Sequence, residues 1–167
     1  MSLIGVLSSV VASAIFLFAM FRLKPRIEIS PYIAIEQDNE GNFYTFKIAN
    51  KSKRPIINLK ADLSLAKSTN VTDGPIYEMW PISLRRDQVF EISGYSSKDR
   101  DADYALRFVT KTDLNKLWEN DADIIRFRVM ATDSLSGFSK CFLKEFRMKR
   151  NCLKEGTHRW GTNLDIH

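Results

Sequence analysis

The chain has 167 residues, 44% of them hydrophobic and 27% charged, the balance of an ordinary globular protein rather than of a disordered or low-complexity one. Its net charge of +5 suits an anionic membrane surface. Nucleic acid is the competing partner for that charge and is disfavoured, because no recognition helix, RNP-like aromatic strand or zinc pattern accompanies it. Cys141 and Cys152, the two cysteines, lack metal-ligand spacing and read as free thiols, which excludes a disulfide scaffold.

Residues 3–21 hold no charged side chain, and 11 of these 19 are Leu, Ile, Val or Phe. A helix of that length reaches ~28 Å, close to the ~30 Å hydrocarbon core of a bilayer. The apolar side chains supply roughly 3–7 kcal/mol toward insertion, with no ionisable group opposing them. A cleaved signal peptide is the competing reading. It expects basic residues before the apolar run and a small-x-small site after it, whereas the first basic side chain is Arg22 and Met20-Phe21-Arg22 closes the run. Residues 1–22 are therefore expected to be an uncleaved single-pass transmembrane anchor, followed by a basic linker at 23–26. Arg22, Lys24 and Arg26 precede the first acid, Glu28, so the positive flank places the bulk of the chain in the cytoplasm and the N-terminus outside. The same three residues are the candidate contacts for anionic lipid. Gly5, Ser9 and Ser13 recur every four residues, a spacing that lets helices approach closely, and they are the candidate self-association face.

After Pro25, residues 27–35 alternate as a strand interrupted at Pro31, and residues 38–42 form a turn before a second strand at 43–48. Residues 50–55 make a basic loop. Ile57, Leu59, Ala61, Leu63 and Leu65 then alternate with polar residues, which predicts a strand with one buried face and one wet face. A polar loop is expected over 68–75, including Asp73-Gly74, with short strands at 76–80, 87–92 and 104–109. An exposed Gly/Ser/Asp/Lys loop fills 93–103, and Thr112 or Asp113 caps a helical turn ending at Trp118. A final hairpin pairs 124–131 with 138–146 across a turn that begins at Thr132. Seven or eight short strands with almost no helix predict a mainly β protein, an antiparallel immunoglobulin-like β-sandwich over 27–149. Residues 150–167 are a tail in which Trp160 and Leu164 are candidates for docking.

Four segments carry a resemblance. Arg22-Leu23-Lys24-Pro25-Arg26, the run from Phe46 to Ser52, the 124–146 hairpin with Ala131-Thr132-Asp133-Ser134, and Trp160-Gly161 follow one another in the order and rough spacing of the cytoplasmic C-terminal domain of inward-rectifier potassium channels, which the chain resembles over about residues 22–165. The resemblance implies an immunoglobulin-like fold, tetrameric assembly, and lipid contact by Arg22, Lys24 and Arg26. It places Thr132, Asp133, Ser134 and Gly137 where that family has its cytoplasmic gating loop. Pore helix, T-x-G-Y-G filter and second span are missing, so potassium selectivity is not implied.

No catalytic constellation, cofactor motif or metal-ligand pattern stands out. His158 and His167 read as solvated tail histidines, and the aspartates at 99–103 read as a solvated loop, lacking the glycine and terminal glutamate of a calcium loop. A second basic group, Lys144, Arg147, Lys149, Arg150 and Lys154, reads as a wet strand edge guarded by charge. The expectation is a non-enzymatic, membrane-anchored sensor or scaffold that binds a protein or small ligand and assembles as a homo-oligomer. The alternative is an oligomeric single-span effector whose β-sandwich gates membrane permeabilisation.

Overall fold

The computed structural model describes residues 3–72 and 74–167; Asp73 of the expected 68–75 loop lies outside the described residues. The chain opens with helix α1 (Leu3–Arg22), no residue of whose Gly5–Arg22 window is buried in the protein body and whose mean hydropathy there is 1.8. It is long and apolar enough to cross a membrane, and length and composition alone fit both a span and a signal sequence. The helix stops just before Pro25, with the Leu23 amide bonding the Met20 carbonyl at 2.9 Å.

The rest is mainly β: β1 (Ile27–Ile29), β2 (Ile33–Asp38), β3 (Gly41–Asn50), β4 (Ile56–Val71), β5 (Gly74–Ile82), β6 (Gln88–Ile92), β7 (Ala105–Thr110), β8 (Ile124–Asp133), β9 (Ser139–Arg147) and β10 (Leu153–Glu155). Short helices α2 (Leu114–Leu117) and α3 (Lys149–Cys152) interrupt the series. In the first sheet β3 is central. β1 and β2, split at Pro31, share one of its sides; β7 takes the other; and β10 adds to β2 in parallel. The second sheet runs β5-β4-β8-β9, with β6 beside the first part of β4, all antiparallel.

The two sheets share one core. Tyr44, Phe46, Ile48 and Phe108 face Leu59, Leu63, Leu65, Ile125, Phe127 and Phe146, all of them almost fully buried. The Phe46 ring lies 5.0 Å from Phe127 and 5.7 Å from Phe146, which ties the layers together. Each such side chain contributes about 1.5–3 kcal/mol by leaving water. Asp113 caps α2 through the Asn115 and Lys116 amides.

Two expectations are corrected. The alternating face of β4 is not continuous, because Asn58 takes a left-handed φ of 52° and the register slips between Ile57 and Lys60. That bulge reverses the phase, so Ile56 rather than Ile57 joins Leu59 in the core. Most of the expected 68–75 loop is strand: β4 continues to Val71 and pairs with β5 from Gly74, so the polar stretch is one end of a long hairpin. The tail, a candidate for docking, joins the first sheet: β10 pairs with β2, and His158 and Ile166 bridge each other within the tail.

The tail also explains an otherwise odd burial pattern. Along β3, Tyr44, Phe46 and Ile48 point into the core, yet Thr45, Lys47 and Ala49 on the opposite face are buried as well. The tail lies over that face as a partial third layer.

Candidate functional site

Two places gather chemistry. The first is the junction of α1 with the β domain. The turn after β8 folds around the Asp133 carboxylate, whose side chain is 0% exposed. It accepts from Arg54 Nε at 3.0 Å and Nη2 at 2.8 Å, and from the amides of Leu135 at 3.1 Å and Ser136 at 3.0 Å. Burial pulls this carboxyl upward; the Arg54 guanidinium and the two amides outweigh it, so the group stays below the ordinary carboxylate value. Gly137 closes the turn at a left-handed φ of 71°, with its amide on the Asp133 carbonyl, and the Thr132 and Ser139 hydroxyls pair across its base at 2.8 Å. The Ser134 amide bonds the Pro55 carbonyl.

This turn touches the helix. Ser136 Oγ donates to the Leu23 carbonyl at 2.6 Å, and Phe138 stacks on Phe21 with ring centroids 5.4 Å apart, nearly parallel. On the other side the Lys51 amide bonds the Arg26 carbonyl, and Lys51 pairs with Glu28 at 2.9 Å. The structure thus brings two separately singled-out segments together: the 22–26 basic stretch and the 132–137 turn. Arg22, Lys24 and Arg26 are all exposed, and none pairs with a described carboxylate. Arg22 rests over the Phe18 ring at 4.8 Å and Lys24 over Phe21 at 5.6 Å, so both cations sit beside the last apolar turn. Gly5, Ser9 and Ser13 lie farther along α1 and stay exposed; the neighbouring Ser8 hydroxyl bonds the Gly5 carbonyl within the helix.

The second place is the tail-covered face of the first sheet. Lys47 and Arg107 stand directly opposite each other on β3 and β7, a like-charge pair that neighbouring strands normally avoid. Tail carbonyls accept from both. Lys47 Nζ donates to Arg159 and, at 2.8 Å, to Asn163, while Arg107 Nη2 donates to His158 at 2.6 Å. Ser30 Oγ donates to Leu164 at 2.8 Å. Burial, with Arg107 and Lys51 nearby, holds the Lys47 ammonium down at about 8. His158 is 1% exposed, which corrects its reading as a solvated side chain; His167 is exposed. The ring of His158 meets the Thr45 carbonyl at 3.2 Å through Nε2, and Nδ1 has no partner. Burial pushes its pKa below the usual value, and Arg107 and Lys47 add to that. Leu164 docks in part, whereas Trp160 stays 67% exposed with its Nε1 on the Arg100 carbonyl at 3.1 Å.

Lys47 and Arg107 were not singled out from the sequence. The available signal was a lysine in the middle of the apolar strand Phe46-Lys47-Ile48, which asks for a partner on the face away from the core. The second basic group, by contrast, is dispersed. Arg147 pairs with Glu145, Lys149 donates to Asn115 O, and Lys154 lies over Tyr32. The 99–103 aspartates close their own loop, Asp99 accepting the amides of Asp101 and Asp103. Among the described residues, no three His, Cys, Asp or Glu side chains are grouped to hold a metal. Comparison with protein-family models and with curated proteins finds no match to this chain.

Proposed function

We propose that the chain is a membrane-anchored, non-enzymatic sensor or scaffold module, with α1 as a single span, the N-terminus outside and the β domain on the cytoplasmic side. The observation that carries this reading is the contact of the 132–137 turn with the end of α1. An unburied apolar helix needs an apolar solvent, and here its last turn is held to the folded domain by Ser136 and Phe138. The buried Asp133–Arg54 pair makes that turn a firm connection, so a change in the domain reaches the helix.

Arg22, Lys24 and Arg26 contact anionic lipid in this reading, each contributing about 1 kcal/mol. Full-length protein is expected to sediment with membranes, resist carbonate extraction, and keep its β domain intact when protease is added outside whole cells. Glutamine at all three basic positions is expected to weaken anionic-lipid retention by the purified protein by about a hundredfold at low salt, the difference fading as salt rises. Recovery of the full chain in aqueous extract overturns the membrane assignment; lipid retention unchanged by the triple substitution overturns the lipid contact alone.

A second reading, an oligomeric effector that permeabilises the membrane, is favoured by the exposed Gly5, Ser9 and Ser13 face. It expects expression to depolarise cells and Gly5→Leu with Ser9→Leu to abolish that effect. Unchanged potential on expression removes it.

A further inference from the structure

Two cavities open side by side along β7 and share Arg107 in their walls. One, of about 290 Å3, is lined by Lys47, Asp101, Arg107, Arg159, Trp160 and Gly161 among others; the second, of about 330 Å3, is lined by Arg85, Arg86, Arg107, Phe108 and Val109. Each lies near the lower end of the size of small-ligand sites, ~300–1,000 Å3. None of Arg85, Arg86, Arg107 and Arg159 forms an ion pair with a described carboxylate. Of the eight other arginines, Arg54, Arg126, Arg128 and Arg147 are paired with described carboxylates, whereas Arg22, Arg26, Arg100 and Arg150 are not. What sets Arg85, Arg86, Arg107 and Arg159 apart is their place, in the walls of two cavities that share Arg107.

The chemistry of the two ends differs. The second cavity has three guanidiniums and no carboxylate in its wall, an arrangement that fits phosphate oxygens through paired N–H donors. The first carries the Trp160 indole, exposed yet held in place by its bond to Arg100, and the Asp101 carboxylate, which repels phosphate but accepts from an amino or hydroxyl group. Lys47 spends two of its three N–H donors on tail carbonyls and keeps one.

From this arrangement we propose that the groove binds a nucleotide, its phosphates on Arg85, Arg86 and Arg107 and its base against Trp160 with Asp101 as a hydrogen-bond acceptor. This rests on the sensor reading and supplies the ligand for it. The site is built partly from the tail, since Arg159, Trp160 and Gly161 form one wall, so an occupied groove also holds the tail down.

The test uses the full-length chain in nanodiscs of uncharged phosphatidylcholine at low salt, with ATP, pyrophosphate, adenosine and inositol trisphosphate as probes in calorimetry. ATP is expected to bind, pyrophosphate to bind more weakly, and adenosine to bind least. Arg86→Gln with Arg159→Gln, neither of which makes a side-chain hydrogen bond within the fold, is expected to weaken ATP at least tenfold without changing the melting temperature. Trp160→Ala is expected to weaken ATP but leave pyrophosphate unchanged. Absence of ATP binding, or ATP binding untouched by the double arginine substitution, overturns the proposal and leaves the arginines as charges guarding the free edge of β7. Binding of inositol trisphosphate in preference to ATP overturns the nucleotide and assigns the phosphate-binding groove to a lipid headgroup. Membrane retention reads out separately, so loss of this proposal leaves the anchor assignment standing.

Discussion

Arg54→Ala is expected to destabilise the β domain by about 3 kcal/mol, a fall in melting temperature of roughly 6–12 °C. Asp133 loses both hydrogen bonds from Arg54, its one cationic partner among the described residues, while remaining in a site with no exposure of its own. Removing one member of a buried pair typically costs about 3–5 kcal/mol, because an uncompensated charge is left behind. The lower end applies here, since Arg54 is 30% exposed and water enters in its place. The pH dependence has a definite sign. Asp133 has a folded pKa below its unfolded value near ~3.9, so the stability it supplies is fully present above that value and lost as pH falls through the folded pKa. The gap between wild type and Arg54→Ala should accordingly narrow in acid. Adding Asp133→Asn removes the stranded charge while keeping an acceptor for the Leu135 and Ser136 amides, and is expected to restore more than half of the loss. Thermal melts of the single and double variants between pH 3 and 7 decide it; a double variant as unstable as the single would mean that charge burial is not the cause. Because the same turn carries Ser136 and Phe138, Arg54→Ala should also loosen the domain from α1.

Local periodicity made the strands readable, and long-range coverage hid the rest. The break at Pro31, the strand at 43–48, the Asp113 cap and the final hairpin all follow from residues within a few positions of each other. The bulge at Asn58 escaped because Ile56 and Ile57 are equally apolar, and only the register against β6 and β8 decides which faces the core. The polar 68–71 stretch reads as loop from composition, but a long cross-strand partner in β5 overrides that preference. The 22–26 segment and the 132–137 turn were each visible in the sequence; their contact joins residues more than a hundred positions apart and was not. The tail-covered face was the least legible part. A histidine near a C-terminus reads as solvated unless something marks a cover, and here the marks were indirect: Lys47 inside an apolar strand, and Arg107 opposite it.

That cover sets up the second large effect. Lys47→Met is expected to change stability little near pH 7 but to cost about 3 kcal/mol near pH 10. Two opposed contributions produce this. The substitution strands the Arg159 and Asn163 carbonyls, at about 1–3 kcal/mol each where they stay buried. It also removes an ammonium whose folded pKa, about 8, lies well below the ordinary 10.5, a strain of about 3 kcal/mol at neutral pH. Below pH 8 the two nearly cancel. Between pH 8 and 10.5 the unfolded chain holds the proton that the folded chain has released, so wild-type stability rises, while the neutral amine still donates to both carbonyls. The methionine variant has no such rise. His158 acts in the same direction on the acid side: its folded pKa lies below 6.5, so its contribution is present above that value and fades as pH falls, against Lys47 and Arg107 on one side and Glu36 on the other. Tail docking should therefore weaken in acid and tighten in alkali. Urea unfolding of wild type and Lys47→Met across pH 5 to 10, with protease sensitivity of residues 157–164 as the local readout, tests both limbs. A wild-type-to-variant difference that stays constant with pH would show that the lysine carries no burial strain, its bonds to the Arg159 and Asn163 carbonyls then being its whole contribution to holding the tail.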